Sequence, residues 1–290
     1  MQDSLPFIIA FIGVLLIAIA AYFMSKSQPE DETVNTVPGA RRFWVKFDAQ
    51  KAPGIIVPMK SDPDLLKEAL GFKEPRPAIF ISGGASGMSE RDVQMTKQIV
   101  ANGIVRFAQE HQMVVIDGGT ESGVMKMMGD ARREKGYTFP LIGIAPMGKV
   151  DYPGHHNPNK EASLENGHSH FVLVDGKEWG DESATIVNLT HAISGGGEKK
   201  ALGIVINGGK ITRQDVYLAT SKERNLPILV LEGSGRFADE LASAHKSGQT
   251  SEKVIKAILR GDITLVSTNE GPQGLYAKLV QHFGLQPVKK

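Results

Sequence analysis

The chain has 290 residues, and 33 Lys and Arg against 32 Asp and Glu leave a formal net charge of +1. Such a balance argues against a protein that coats DNA or RNA through bulk attraction to phosphates, so no nucleic-acid partner is expected. Cysteine is absent, which excludes disulfides, thiolate catalysis and cysteine-ligated zinc or iron–sulfur centres.

Residues 5–24 form an apolar stretch without a charged side chain. At about 1.5 Å rise per residue it matches a hydrocarbon thickness of about 30 Å. A cleaved signal peptide is the alternative, but the first four residues contain Asp3 and no Lys or Arg. The nearest positive residues, Lys26, Arg41 and Arg42, follow the stretch. The positive-inside rule therefore predicts a single-pass anchor with its N-terminus outside and the soluble domain in the cytoplasm.

Residues 25–76 are predicted to link this anchor to the domain. Residues 25–38 are polar and without a hydrophobic period, as in a tether. Residues 41–58 alternate apolar and polar side chains, which suggests a short edge hairpin. Residues 63–70 resemble a short helix that ends at Gly71.

Residues 77–290 repeat one pattern: an apolar run, a glycine-rich turn and an amphipathic helix. The runs predicted as strands are residues 78–82, 113–117, 141–145, 170–174, 201–207, 228–231 and 263–266, and the predicted helices include residues 90–110, 124–135, 182–194, 212–224 and 237–245. Continuous apolar runs alternating with helices indicate parallel strands that are buried on both faces. We therefore predict a Rossmann-like, doubly wound α/β domain with a mostly parallel sheet, although its strand order is not readable.

Glycine-rich turns follow four of these strands. Ligands of such sheets bind beyond the carboxyl ends of the strands, glycine permits close backbone approach, and helix N-termini attract phosphate. The turn residues predicted to bind a ligand are Gly83, Gly84, Gly118, Gly119, Thr120, Ser122, Gly123, Asn207, Gly208, Gly209, Glu232, Gly233, Ser234, Gly235 and Arg236. For any single turn, a tight strand–helix connection is the simpler explanation. Neither a Walker loop nor a G-x-G-x-x-G fingerprint in the first turn is present.

Four histidines lie close together in the sequence, at His155, His156, His168 and His170. Their spacing does not match a helical metal-binding pair, so we predict no metal site and assign His170 to ligand contact, with a structural role as the alternative. Residues 149–167 are a long loop, either a binding loop or a surface excursion. Trp179 is expected to pack, or to stack on a base.

The motifs VVIDGGTESGVMKMMGDAR, IGIAPMGKV, HSHFVLVDG, GIVINGG and PILVLEGSGRFADE occur in this order. This set resembles the SLOG superfamily of Rossmann-like domains. Within it, the resemblance is closest to the prokaryotic LSDAT branch, which is related to the N-terminal cytosolic region of melastatin-type TRP channels. The resemblance implies a pocket for a nucleotide or a nucleotide sugar, with no further cofactor.

The phosphoribohydrolases of the same superfamily carry the motif P-G-G-x-G-T-x-x-E, which aligns with residues 207–215. Gly208, Gly209 and Thr212 match, so Thr212 joins the predicted ligand contacts, whereas Asn207 replaces the proline, Ile211 the third glycine and Asp215 the glutamate. The preceding helix also lacks the arginine of those enzymes.

Two hypotheses result from these departures. The first is a membrane-tethered sensor of an ADP-ribose-like nucleotide, which acts as a homo-oligomer or on a membrane effector. The alternative is a nucleotide N-glycosidase in which Asp215 or Glu121 supplies the carboxylate.

Overall fold

The computed structural model describes residues 36–286. The predicted anchor at residues 5–24 lies outside this range. Within the range, no helix is long and apolar enough to cross a bilayer. The strands are β1 (Arg41–Lys46), β2 (Lys51–Val57), β3 (Ala78–Gly83), β4 (Val114–Asp117), β5 (Leu141–Pro146), β6 (Val150–Asp151), β7 (Ala162–Ser163), β8 (His170–Val174), β9 (Ala201–Ile206), β10 (Ile228–Glu232) and β11 (Ile263–Ser267). The α-helices are α1 (Pro63–Ala69), α2 (Glu90–Ile99), α3 (Arg106–Glu110), α4 (Gly123–Glu134), α5 (Ser183–Ile193), α6 (Lys210–Ala219), α7 (Arg236–Ser247), α8 (Lys253–Ile258) and α9 (Gly271–Phe283).

The described residues build one nine-stranded sheet in the order β1-β2-β8-β5-β4-β3-β9-β10-β11. All neighbouring strands run parallel except β1 and β2, which form an antiparallel hairpin. From β3 the chain winds through β4 and β5 to β8, and then returns to place β9 on the other side of β3. The prediction of a Rossmann-like fold with a mostly parallel sheet is confirmed.

Apolar side chains cover both faces of the sheet. Val114 and Ile116 of β4 join the core on one face, while Val115 between them joins the core on the other face. Helices α1, α5, α6, α7 and α8 pack on the first face, and α2, α3, α4 and α9 on the second. This double coverage explains why the central strands appear in the sequence as continuous apolar runs.

The segment before residue 77 joins the same fold. Strand β2 pairs with β8, so the predicted edge hairpin extends the main sheet. Helix α1 packs against α5. Asp62 caps α1 by accepting hydrogen bonds from the amides of Asp64 and Leu65, and these caps explain why a seven-residue helix forms here.

Several helical features differ from the sequence prediction, among them the helix predicted at residues 212–224, which ends at Ala219. The predicted helix at residues 90–110 contains a π-helical segment, Val100–Val105, between α2 and α3. Gly103 in this segment lies against α9, where a side chain would come within 2.9 Å of Leu275. Helices α8 and α9 were not predicted, since α8 has only six residues and α9 begins with Gly271 and Pro272.

Candidate functional site

The sheet reverses its winding direction between β3 and β9. Helix α2 follows β3 onto one face and α6 follows β9 onto the other, so the connections diverge and leave a crevice at the carboxyl ends of these strands. Open α/β sheets bind ligands at such a switch point. The backbones approach closely here, because a side chain at Gly83 would collide with the carbonyl oxygen of Ile206.

A cavity of about 340 Å³ lies at this point, and we call it the switch-point cavity. Its volume falls in the range of small-molecule sites. It is lined by Ile81, Ser82, Gly83, Gly118, Thr120, Ser122, Met125, Glu161, Ala162, Trp179, Glu182, Ile186, Ile211, Thr212 and Asp215. Five of the predicted ligand residues are therefore brought together, namely Gly83, Gly118, Thr120, Ser122 and Thr212, along with the candidate carboxylate Asp215.

Helix α4 begins at this cavity without a side-chain cap. Its N-cap residue, Ser122, makes no capping hydrogen bond and its hydroxyl lies 3.2 Å from that of Thr120. Asp62 caps α1 and Ser89 caps α2, whereas α3 and α5 to α9 resemble α4 in having no side-chain cap. An uncapped N-terminus keeps amide donors and the positive end of the helix dipole available for an anion.

Two buried carboxyl groups line the opposite side of the cavity. Asp215 is 3% exposed and Glu182 is 5% exposed. The carboxylate of Asp215 accepts hydrogen bonds from the hydroxyls of Ser82 and Ser183. The Oε2 atom of Glu182 accepts a 2.8 Å hydrogen bond from the amide of Gly180.

Burial raises the pKa of both groups. The pKa of Asp215 rises to about 6, although the hydroxyls of Ser183 and Ser82 oppose the shift. The pKa of Glu182 rises to about 7 through burial, against the effect of backbone amides and with a contribution from the charge of Asp215. Groups with such values exchange protons near neutral pH, as general acids and bases do.

The long loop predicted at residues 149–167 closes one side of the cavity. It contains the short parallel pair β6–β7. Glu161 in this loop accepts a 2.8 Å hydrogen bond from Nε1 of Trp179. Lys149 lies 2.7 Å from Glu161 and 3.0 Å from Glu178. The loop thus holds the indole of Trp179 at the cavity wall.

Other predicted contact residues support the turns without lining the cavity. Asn207 is buried with a φ of +55°, and its Nδ2 donates to the carbonyl oxygens of Ser234 and Ser86. This amide therefore joins three turns. Gly123 lies against Gly84, where a side chain would come within 3.2 Å of the Gly84 Cα.

Gly119 is engaged within the protein. Its amide donates a 2.7 Å hydrogen bond to Oδ1 of Asp117, and its carbonyl accepts one from the amide of Glu165. With φ at +65°, a side chain would approach the Cα of Gly143 to 2.6 Å.

Asp117 belongs to a second group of buried polar residues, which we call the His168 network. The ring of His168 lies between two carboxylates, with Nε2 2.8 Å from Asp117 and Nδ1 2.8 Å from Glu165. Burial alone lowers the pKa of His168, but the two carboxylates outweigh it and raise that pKa to about 9. His168 is therefore a buried imidazolium with a structural role.

The remaining predicted residues lie elsewhere. Gly208, Gly209 and Arg236 line an open depression of about 510 Å³ with Lys210 and Arg213, which we call the outer depression. Glu232 and Gly233 line another surface hollow, Ser234 is buried beneath Asn207, and Gly235 lies beside the Asn207 amide. The four turns thus share one edge of the sheet but not one cavity.

His170 begins β8, at the amino edge of the sheet, opposite the switch-point cavity. Its Nδ1 lies 2.9 Å from the hydroxyl of Ser169, and its ring lies 6.0 Å from that of Phe72. Burial, together with the charge of Arg132, lowers the pKa of His170 to about 4. His155 stacks on Tyr152 at 4.9 Å. Across residues 36–286, no cluster of three or more His, Asp or Glu side chains has the arrangement of a metal site.

The family model described as "SLOG in TRPM, prokaryote" matches residues 76–277. The chain belongs to this family. Mouse transient receptor potential cation channel subfamily M member 2 is 29% identical to this chain over 212 residues, which cover 61% of this chain and 14% of the channel. Rat subfamily M member 7 is 29% identical over 73% of this chain and 12% of its own length. The Drosophila channel trpm is 28% identical over 79% of this chain and 13% of its own length.

The SLOG family match therefore covers the sheet from β3 onward and the whole switch-point cavity, while the chain spans only about an eighth of these relatives. Several cavity residues were not singled out from the sequence, among them Ser82, Glu161 and Glu182. Glu182 precedes α5, and its helix was examined only for a missing arginine. The sequence signal for Glu182 was its position beside Gly180 and Asp181, at the start of a helix that follows a strand.

Proposed function

We propose that this chain is a membrane-tethered regulatory domain that binds a nucleotide or nucleotide sugar of the ADP-ribose type in the switch-point cavity. The observation that carries the proposal is the uncapped N-terminus of α4, which begins at a cavity located where the sheet reverses its winding. Phosphate would bind at the start of α4, where the first amides of the helix have no intrahelical partner and the hydroxyls of Thr120 and Ser122 lie alongside.

Tethering rests on the sequence of residues 5–24 and on the positive residues that follow them. The relatives support a regulatory role, because they are named as cation channels and this chain corresponds to one portion of them. A domain of this kind would transmit ligand binding to a membrane partner or to a second copy of the chain.

A second candidate function, hydrolysis of an N-glycosidic bond, is favoured by the raised pKa values of Glu182 and Asp215. In that reaction water would add to C1′ of the ribosyl group as the bond to the base nitrogen breaks. One carboxylate would accept the proton of the water, and the other carboxyl would protonate the departing base. The lost arginine and the shortened acid count against this activity.

The test incubates the full chain with ADP-ribose, NAD, ADP and AMP, and measures both heat of binding and release of free base. We expect saturable binding by at least one nucleotide and no base release above a control without protein. Steady release over many turnovers that is abolished in Asp215→Asn would favour the hydrolase. Absence of binding by every nucleotide would contradict the proposed function.

A further inference from the structure

The hairpin at one edge of the sheet has a strongly uneven charge. Residues 41–57 contain four Lys or Arg side chains and a single acid, Asp48, although the whole chain has a formal net charge of only +1. Strand β1 forms the edge, and in the described part of the chain it pairs with β2 alone. The hairpin therefore concentrates positive charge at one edge of a nearly neutral protein.

An exposed aromatic ring lies among these cations. Trp44 is 43% exposed, and the ammonium group of Lys51 lies 4.0 Å from the centroid of its ring. Side chains alternate between the two faces of a strand, so Arg42, Trp44 and Lys46 share one face, and the residues between them join the core. Lys51 is paired with Lys46 across the hairpin and lies on the same face. We call Arg42, Trp44, Lys46 and Lys51 the basic edge.

No acid neutralises the cations of the basic edge. In the described part of the chain, Arg42, Lys46 and Lys51 form no ion pair with Asp or Glu. Charged side chains also prevent edge strands from pairing with other chains, but that role does not explain an exposed indole. An indole together with Lys and Arg is typical of surfaces that contact lipid headgroups.

Strand β1 is also close in sequence to the predicted anchor. Residues 25–40 separate the two, and a segment of that length spans at most about 55 Å. The basic edge therefore stays near the surface of any membrane that holds residues 5–24. Because a tether makes the second contact intramolecular, weak attraction to lipid becomes effective.

We propose that the basic edge docks on anionic phospholipid headgroups of the membrane that holds the anchor. This inference rests on the tethering in the proposed function and adds the side of the domain that faces the bilayer. The cations contact lipid phosphates, and the indole of Trp44 enters the headgroup layer. Strand β3, at the switch-point cavity, is five strand spacings from β1, about 24 Å. The cavity therefore stays open to a nucleotide in solution.

The test reconstitutes the full chain in phosphatidylcholine vesicles with or without phosphatidylserine. In a Trp179→Phe background, Trp44 is the remaining tryptophan, and lipids with a nitroxide near the headgroup quench its fluorescence when it enters that layer. We expect at least about twofold more quenching with phosphatidylserine, because each basic side chain near an anionic surface strengthens attachment about fivefold. High salt should remove the difference.

A pair of matched variants locates the effect. Lys46→Gln with Lys51→Gln should bring the quenching close to its value in phosphatidylcholine alone. Lys253→Gln with Lys256→Gln removes the same charge from exposed positions on α8 and should keep the difference between the two lipids. Each variant is compared with itself in the two lipids, so a direct effect of Lys51 on the fluorescence of Trp44 cancels.

Flotation of the vesicles in alkaline carbonate measures the anchor separately. A chain that stays with the vesicles but has equal Trp44 quenching in both lipids would overturn the docking surface and leave the tethering intact. A lipid preference that Lys46→Gln with Lys51→Gln retains would also overturn it. A chain that carbonate releases, but that shows the lipid preference, would support docking and contradict the anchor. A chain that binds neither kind of vesicle would contradict both.

Discussion

Two groups of buried acidic residues adjoin the turn after β4, and they differ in what neutralises them. In the His168 network, Asp117 and Glu165 share one buried imidazolium. At the switch-point cavity, Asp215 and Glu182 have hydroxyl and amide donors but no cation. A buried cation neutralises the acids of the network, whereas the acids at the cavity have only uncharged donors and raised pKa values. Burial of an acid therefore does not by itself indicate a site; a cavity beside acids that lack a cation does.

Removing the cation from the network should have the largest effect. In His168→Leu, two buried carboxylates lose their common partner, and breaking such a pair costs about 3–5 kcal/mol of unfolding free energy. Chemical denaturation followed by tryptophan fluorescence measures this loss. The exposed His156→Leu is the control. A loss below about 1 kcal/mol in His168→Leu would show that the imidazolium does not hold the network together.

The two groups should also respond to pH in different windows. His168 has a raised pKa, so its stabilisation is complete below about pH 6.5 and is lost as pH rises toward 9, by up to about 3 kcal/mol. Glu182 and Asp215 also have raised pKa values, so they too bind more protons in the folded state than in the unfolded state. Their contribution therefore falls as pH rises from about 4 to 7.

Unfolding free energies measured from pH 4 to pH 9 test these windows. The double variant Glu182→Gln with Asp215→Asn should flatten the change below pH 7 and leave the change above it. His168→Leu should flatten the change above pH 7 and leave the change below it. The same slope in the double variant as in the parent below pH 7 would mean that the two acids are not perturbed as described.

Neutralising Asp215 should change stability and nucleotide affinity in opposite directions. Asp215→Asn removes a charge that burial disfavours, so we expect the unfolding free energy at pH 7 to rise by about 1–3 kcal/mol. Nucleotide affinity should fall by no more than about 1.5–3 kcal/mol, the value of one hydrogen bond to a charged group. Asp117→Asn is the counterpart in the network and should lose stability. A destabilised Asp215→Asn would place Asp215 with the structural acids.

Neighbouring glycines provide the smallest and most local comparison. Gly119→Ala places a side chain 2.6 Å from Gly143 at a φ of +65°, so we expect a loss of stability of about 1–3 kcal/mol. Gly118→Ala meets only the flexible end of Met125, at 3.2 Å, and should change stability by less than about 0.5 kcal/mol while weakening nucleotide binding. Thermal unfolding and calorimetry on both variants measure these effects. A loss of stability in Gly118→Ala with weakened binding only in Gly119→Ala would mean that Gly118 is the structural residue and Gly119 faces the ligand.

The sequence predicted the strands well because burial on both faces produces continuous apolar runs, as in Leu141–Pro146 and Ala201–Ile206. It also predicted that glycine turns would share one edge of the sheet. It could not predict which turns face one cavity, because this depends on strand order. Gly118 and Gly119 are adjacent, yet one lines the cavity and the other binds Asp117.

The sequence also could not predict which residues contact the buried acids, because these partners are far apart along the chain. Asp117 and His168 are 51 residues apart, and Ser82 and Asp215 are 133 apart. Glu182 was missed because its burial and its electrostatic interaction with Asp215 arise only in the folded chain. His170, predicted to contact a ligand, lies at the amino edge of the sheet because of its parallel pairing with β5.

A single-tryptophan titration of the full chain tests whether a nucleotide binds in the switch-point cavity. Trp44 lies on β1 and Trp179 lines the cavity, and the sequence has no other tryptophan. In Trp44→Phe, addition of ADP-ribose should change the fluorescence of Trp179 with a midpoint equal to the calorimetric Kd, and Arg236→Ala in the outer depression should leave that midpoint unchanged. Calorimetric binding without a change in Trp179 fluorescence, or binding abolished by Arg236→Ala alone, would show that the nucleotide binds outside the switch-point cavity.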